Sequence, residues 1–238
     1  MNIETEKDLY RQASSWGGVG IPNEIREYCR QEFPITAVSL KDGLRVLRVM
    51  NLGMAIPYLE EIAKVLNDSL PQAYPRFTVE QLTEEFHGLP DGRIVDFKET
   101  WNGNTFLIEE KGSLVGVTVG RREVVADQSG SGIFTGRGYI PVVAASGEIA
   151  GTSKVALLSL PIKSLAESGV TEIRGSCAPS NTLAEKLFSR FAVERQQEGD
   201  WIRYKFNPEI GNQFFEFIVR KFGISEESAR ILITPTGV

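Results

Sequence analysis

The chain has 238 residues, 42% of them apolar and 24% charged, with a formal net charge of -5 and a mean hydropathy of -0.13. This is a globular composition able to bury a full core, and no run approaches the ~18 consecutive apolar residues of a membrane span. The acidic balance offers no concentrated basic face for nucleic acid, and the polar, acidic N-terminus is unlike an export signal, so a cytoplasmic protein is expected.

Residues 1 to about 40 hold two short helical patterns separated by a Gly/Pro-rich run from Gly17 to Pro22. Cys29 lies here and Cys177 lies far downstream, a pairing-free pattern that predicts no disulfide. From Leu44 to Met50 the alternation predicts a strand, followed by a helix with Leu59, Ile62 and Leu66 on one face. Thr78 and Gln81 have capping-box spacing, which predicts a second helix ending near Gly88. Its last turn carries His87, the sole histidine, so no zinc cluster is expected and a helix C-terminal cation or surface residue is.

Two strand patterns, 105–109 and 114–119, flank Glu110 to Ser113 and predict a hairpin. Arg121 and Arg122, the densest basic pair, read as a solvated strand end. After an irregular Gly/Ser-rich segment at 127–132, Tyr139 to Ala145 reads as a buried strand, with Pro141 where no ladder bond is required. A helix over about 152–168 follows, with Pro161 predicted to kink or divide it and Gly169 to cap it. Thr171 to Cys177 is a strand, and a capping box from Thr182 to Glu185 opens a helix. A hairpin over 193–206 and a Phe-rich helix after Pro208 complete the chain. That helix predicts a packing face against the sheet, with a homodimer contact as a second reading of its surplus aromatics.

Strand, helix, helix, hairpin, strand, loop, helix, strand, helix and strands, in that order, resemble the GCN5-related N-acetyltransferase (GNAT) superfamily over roughly residues 43 to 206. The family's pyrophosphate loop, Arg/Gln-x-x-Gly-x-Gly/Ala, is similar to Glu148, Ile149, Ala150, Gly151, Thr152 and Ser153. Only the central glycine matches. A later pattern of Asn, Ala, Leu-Tyr and Gly-Phe is similar to Asn181, Ala184, Leu187-Phe188 and Ala192-Val193. The resemblance implies an α/β (α+β) fold with a mixed, mostly antiparallel central sheet flanked by helices, residues 43–206 forming the domain and residues 1–42 and 207–238 helical extensions.

In function the resemblance implies transfer of an acyl group, acetyl in the simplest case, from acetyl-CoA or another acyl-CoA to a small-molecule or peptide amine. A splayed central strand would hold the donor through Val142, Val143 and Ala144, and the loop from Ile149 to Ser153 would take its phosphates, with Asn181 and Phe188 nearby. Tyr139 and Cys177 are the candidate catalytic residues, Cys177 having a small buried thiol as its alternative. Asn181 also has a plain helix-capping reading. Phe188 stands where many relatives carry a tyrosine acid, and Glu148 where a cation is usual. These departures keep an acyl-carrier-protein donor and a non-catalytic ligand-sensing module as alternatives.

Overall fold

The computed structural model describes residues 6–13, 16, 20–40, 43–69, 76–87, 101, 104–126, 132–146 and 151–234. Helices α1 (Glu6–Ala13) and α2 (Asn23–Glu32) precede strands β1 (Thr36–Ser39) and β2 (Leu44–Val49). A short helix α3 (Leu52–Ala55) and a 3-10 turn (Ile56–Tyr58) lead into α4 (Leu59–Ser69), then α5 (Val79–His87). The Thr78 and Gln81 box forms as expected: Gln81 N–H donates to Thr78 Oγ1 (3.3 Å) and Thr78 N–H to Gln81 Oε1 (3.0 Å).

Strands β3 (Thr105–Glu110), β4 (Ser113–Ala126) and β5 (Gly132–Ala145) form a meander, with β4 and β5 longer than the sequence pattern predicts. Their outer halves, Glu123 to Ala126 and Gly132 to Arg137, pair mainly with each other, so no sheet face imposes the alternation that would have revealed them. Helix α6 (Gly151–Glu167) runs unbroken through Pro161, and Gly169 follows with φ +80 as predicted. Then come β6 (Glu172–Cys177), α7 (Thr182–Phe191), β7 (Ala192–Glu198), β8 (Trp201–Phe206), α8 (Pro208–Phe222) and α9 (Glu226–Ile233). Asn181, not Thr182, is the N-cap of α7: its side chain accepts the Ala184 N–H (3.1 Å).

Among the described residues the sheet has eight strands in the order β1-β2-β3-β4-β5-β6-β8-β7, antiparallel throughout except for the β5/β6 pair. This is the mixed, mostly antiparallel sheet expected. Each face covers a separate core. On one, α6 to α9 bury Leu157, Ile162, Phe188 and Phe215 with Ile140 and Ile173 of the sheet. On the other, α1 to α5 bury Leu9, Ile25, Leu59 and Phe86 with Leu47, Val117 and Val119. The first 42 residues contribute Leu9, Trp16, Ile25 and Cys29 to this second core.

Helix α6 can lie close to β4 because Gly116 and Gly120 face it. A methyl at Gly116 would stand 2.9 Å from Leu157 Cδ2, and one at Gly120 3.1 Å from Leu165 Cδ1. Helix α8 packs on α6 rather than on the sheet, with Phe215, Ile218 and Phe222 inward and Phe217 exposed. The expectation of a sheet-packed helix is corrected in that respect. No helix of the described residues is long and apolar enough to cross a membrane.

Candidate active site

The parallel pairing of β5 with β6 runs only from Arg137↔Glu172 to Ile140↔Gly175. Beyond it β6 continues to Cys177 against β8, and β5 continues to Ala145 against β4. The two strands therefore part after Ile140. A bulge marks the parting: the β4/β5 register moves from Val119↔Val142 to Arg121↔Tyr139, so Ile140 and Pro141 together oppose Gly120. Pro141, which has no N–H, sits where the ladder is interrupted.

Strand geometry fixes which backbone groups face the gap. Ser146 N–H donates to the Val115 carbonyl (2.9 Å), and Thr118 Oγ1 donates to the Val142 carbonyl (3.1 Å). Because backbone groups alternate along a strand, Val142 and Ala144 face β4, and Val143 and Ala145 face the gap. The Ala145 carbonyl accepts from Ser69 Oγ (2.6 Å). Val143 N–H, Val143 C=O and Ala145 N–H remain as a short strand edge. Of the three residues read from sequence as donor-binding, Val143 is the one whose polar groups point outward.

Tyr139 stands at the mouth of the gap. Gly138 and Ile140 face α6, so alternation turns Tyr139 to the other face, where it is 36% exposed. Its hydroxyl is hydrogen-bonded to Ser176 Oγ on the diverging end of β6. Arg121, the Cα partner of Tyr139 on β4, is buried rather than solvated, which corrects the reading of it as a strand-end cation. It pairs with Glu85 of α5 and lies 5.7 Å above the Trp101 ring. Burial lowers its pKa, and Glu85 and Tyr139 oppose that shift. Ser176 and Glu85 were not singled out from the sequence, and Arg121 only as a solvated cation. Ser176 had no local signal, because only the pairing of β5 with β6 brings it beside Tyr139.

Cys177 and Tyr139 are not brought together. Alternation along β6 puts Cys177 on the opposite face, buried, with Sγ 4.0 Å from the Tyr204 hydroxyl. Burial pushes its thiol pKa up, and Tyr204 opposes this, which matches the buried-thiol alternative for Cys177. Phe188 is likewise buried, its ring 5.3 Å from those of Tyr204 and Phe206 and packed over Gly175. Asn181 spends its side-chain oxygen on the cap of α7. His87 ends α5 with its ring stacked 4.1 Å from Tyr10.

Gly151, Thr152 and Ser153 form the first turn of α6, so their backbone N–H groups are among those the helix leaves without an internal partner. Glu148, Ile149 and Ala150 lie outside the described residues. Among the described residues no group of three or more His, Cys, Asp or Glu could hold a metal ion.

No protein-family model and no curated protein matches the sequence. Among solved structures the chain is similar to the diaminobutyrate acetyltransferase EctA of Paenibacillus lautus, solved with L-2,4-diaminobutyric acid and coenzyme A. That match has 12% identity over 71% of this chain and 96% of that one, with a TM-score of 0.45. The PaiA N-acetyltransferase of Thermoplasma acidophilum, in complex with coenzyme A, matches at 14% identity over 69% and 98%, TM-score 0.47. The GNAT domain of S. lividans PAT matches at 16% over 74% and 99%, TM-score 0.47.

Proposed function

We propose that this protein is an N-acyltransferase of the GCN5-related type, moving an acyl group from acyl-CoA to an amine. The observation that carries this reading is the parting of β5 and β6 beside a helix N-terminus. A parallel pair that splits at a bulge leaves an unpartnered strand edge inside a sheet, and an extended amide-bearing arm can complete it. Val143 N–H and C=O, with Ala145 N–H, bond the two amides of a pantetheine arm as a neighbouring strand would. The N–H groups of Gly151 to Ser153 and the dipole of α6 receive its phosphates.

Bound acyl-CoA supplies the activated acyl thioester; the chain supplies positioning. The acceptor nitrogen approaches from the Tyr139 face and forms its bond to the acyl carbon as the carbon–sulfur bond breaks. One proton leaves the nitrogen and one is gained by the departing sulfur. Holding the reactants in line is the main contribution of such a site, with backbone N–H groups stabilising charge on the acyl oxygen.

Calorimetric titration with acetyl-CoA, followed by a thiol-release assay against a panel of small and peptide amines, tests the reading. Val143→Pro should weaken acetyl-CoA binding about tenfold, the worth of one lost hydrogen bond, because it removes an N–H that faces the gap and not the ladder. Val142→Pro, which breaks the ladder itself, should instead lower the melting temperature. Absence of acetyl-CoA binding by the folded protein overturns the proposal. Tighter binding of a phosphopantetheinylated carrier protein than of CoA would move the donor to the carrier.

A further inference from the structure

We infer that Ser176 is a positioning residue for this reaction, holding the Tyr139 phenol across the mouth of the split and carrying the acceptor's proton outward. The inference rests on the acyltransferase reading and deepens it. Tyr139 belongs to β5, inside the parallel ladder opposite Arg174, and Ser176 to β6, one step beyond the last backbone pair, Ile140↔Gly175, and their hydroxyls meet across the strands. Both lie on the face that the buried Cys177 and Phe188 do not reach. This bond is a side-chain link between the two strands at the point where their backbone pairing ends.

Two hydroxyls in contact form a relay in which neither needs to ionise. As the amine bonds to the acyl carbon, its proton passes to the Tyr139 oxygen, the phenolic proton passes to Ser176 Oγ, and the serine proton passes to water. One proton leaves the nitrogen and one enters solvent, and both hydroxyls are regenerated with their protons exchanged. The departing sulfur takes its proton from water. The charged groups beside the pair are Arg121 of β4, its partner Glu85 of α5, Arg174 of β6, which is the Cα partner of Tyr139 and is paired with Glu172 at 2.5 Å, and Arg203 of β8, which is the Cα partner of Ser176 and is paired with Glu198 at 2.7 Å.

The full chain carrying Ser176→Ala, Ser176→Thr, Tyr139→Phe and the double substitution Tyr139→Phe/Ser176→Ala is assayed for kcat, KM and acetyl-CoA affinity across pH. Ser176→Ala should lower kcat about tenfold, the worth of one hydrogen bond in the transition state, with acetyl-CoA affinity unchanged. Ser176→Thr should recover most of it. The double variant should match Tyr139→Phe alone, since both changes cut one relay. Additive losses, or a Ser176→Ala enzyme with wild-type kcat at every pH, overturn the inference. The solvent isotope effect on kcat gives a second readout: it should fall in Ser176→Ala, and an unchanged effect overturns the inference. Failure of the acyltransferase reading shows separately, as wild-type protein that does not bind acetyl-CoA.

Discussion

Single residues carry the electrostatics of this protein. Arg121 is buried against Trp101 and answered by a half-exposed Glu85, so removing the carboxylate strands a buried cation while removing the cation strands little. Glu85→Gln should therefore cost about 1 to 3 kcal/mol in urea unfolding, and Arg121→Met, which keeps packing over the ring, should cost less. Glu60 accepts the Ile21 N–H (2.9 Å) and pairs with Arg26 (2.6 Å). The backbone hydrogen bond foremost, helped by Arg26 against the effect of burial, holds its pKa below the ordinary carboxylate range. A carboxyl lowered on folding adds stability above its unfolded pKa of about 4.3, and loses it as pH falls through the folded value. Wild type should thus lose its advantage over Glu60→Gln between pH 5 and acid, measured as converging urea midpoints. Cys29 is pushed up to about 11 by burial, so it should resist thiol reagents in the folded state.

Elements meet where small residues permit. A methyl on Gly211 would overlap the Ile162 side chain, which places α8 against α6 at close range beside the Lys163 to Asn212 hydrogen bond (2.7 Å). Gly211→Ala should destabilise by about 1 to 3 kcal/mol through overpacking, despite the higher helix propensity of alanine. Ile162→Ala in the same chain should restore part of that loss, and thermal melts of the four-member cycle check the coupling. Helix α6 is hydrophobic almost all round, with Val155 to Leu158 and Leu160 buried on more than one side, because sheet and C-terminal helices enclose it. Its sequence reads as one amphipathic face only if α8 and α9 are ignored.

At the scale of the molecule, the segments that flank residues 43–206 complete both cores. Arg48, buried in β2, donates to the Thr234 carbonyl at the end of α9 (2.7 Å) and lies near Ser164 of α6, which donates to Asn104 (2.6 Å). Burial pushes its pKa down to about 10. A chain ending at Asn207 would expose the partners of Phe215, Ile218, Leu232 and Ile233 and leave Arg48 without that carbonyl. It should lose cooperative unfolding and bind a hydrophobic dye, as measured by calorimetry and dye fluorescence.

Local chemistry was legible in the sequence: the Thr78 and Gln81 cap, the hairpin at Glu110 to Ser113, the Gly169 stop and the strand from Tyr139 each follow from residues within a few positions of one another. Element order followed from these, and the mixed, mostly antiparallel sheet was what the family resemblance of that order implied. Strand β1 was missed because four residues make too short a period, and α9 because its capping Ser225 lies just after the αL residue Gly223. Only tertiary structure decided which of the candidate residues lie together. Tyr139 and Cys177 lie on opposite faces of the sheet because of how each strand alternates in its ladder, and the bulge at Ile140 and Pro141 resets that alternation for the part of β5 beyond it. Ser176 meets Tyr139 because the parallel register sets Tyr139 opposite Arg174, two residues before Ser176 on the same face, a relation between residues 37 positions apart that no local pattern encodes.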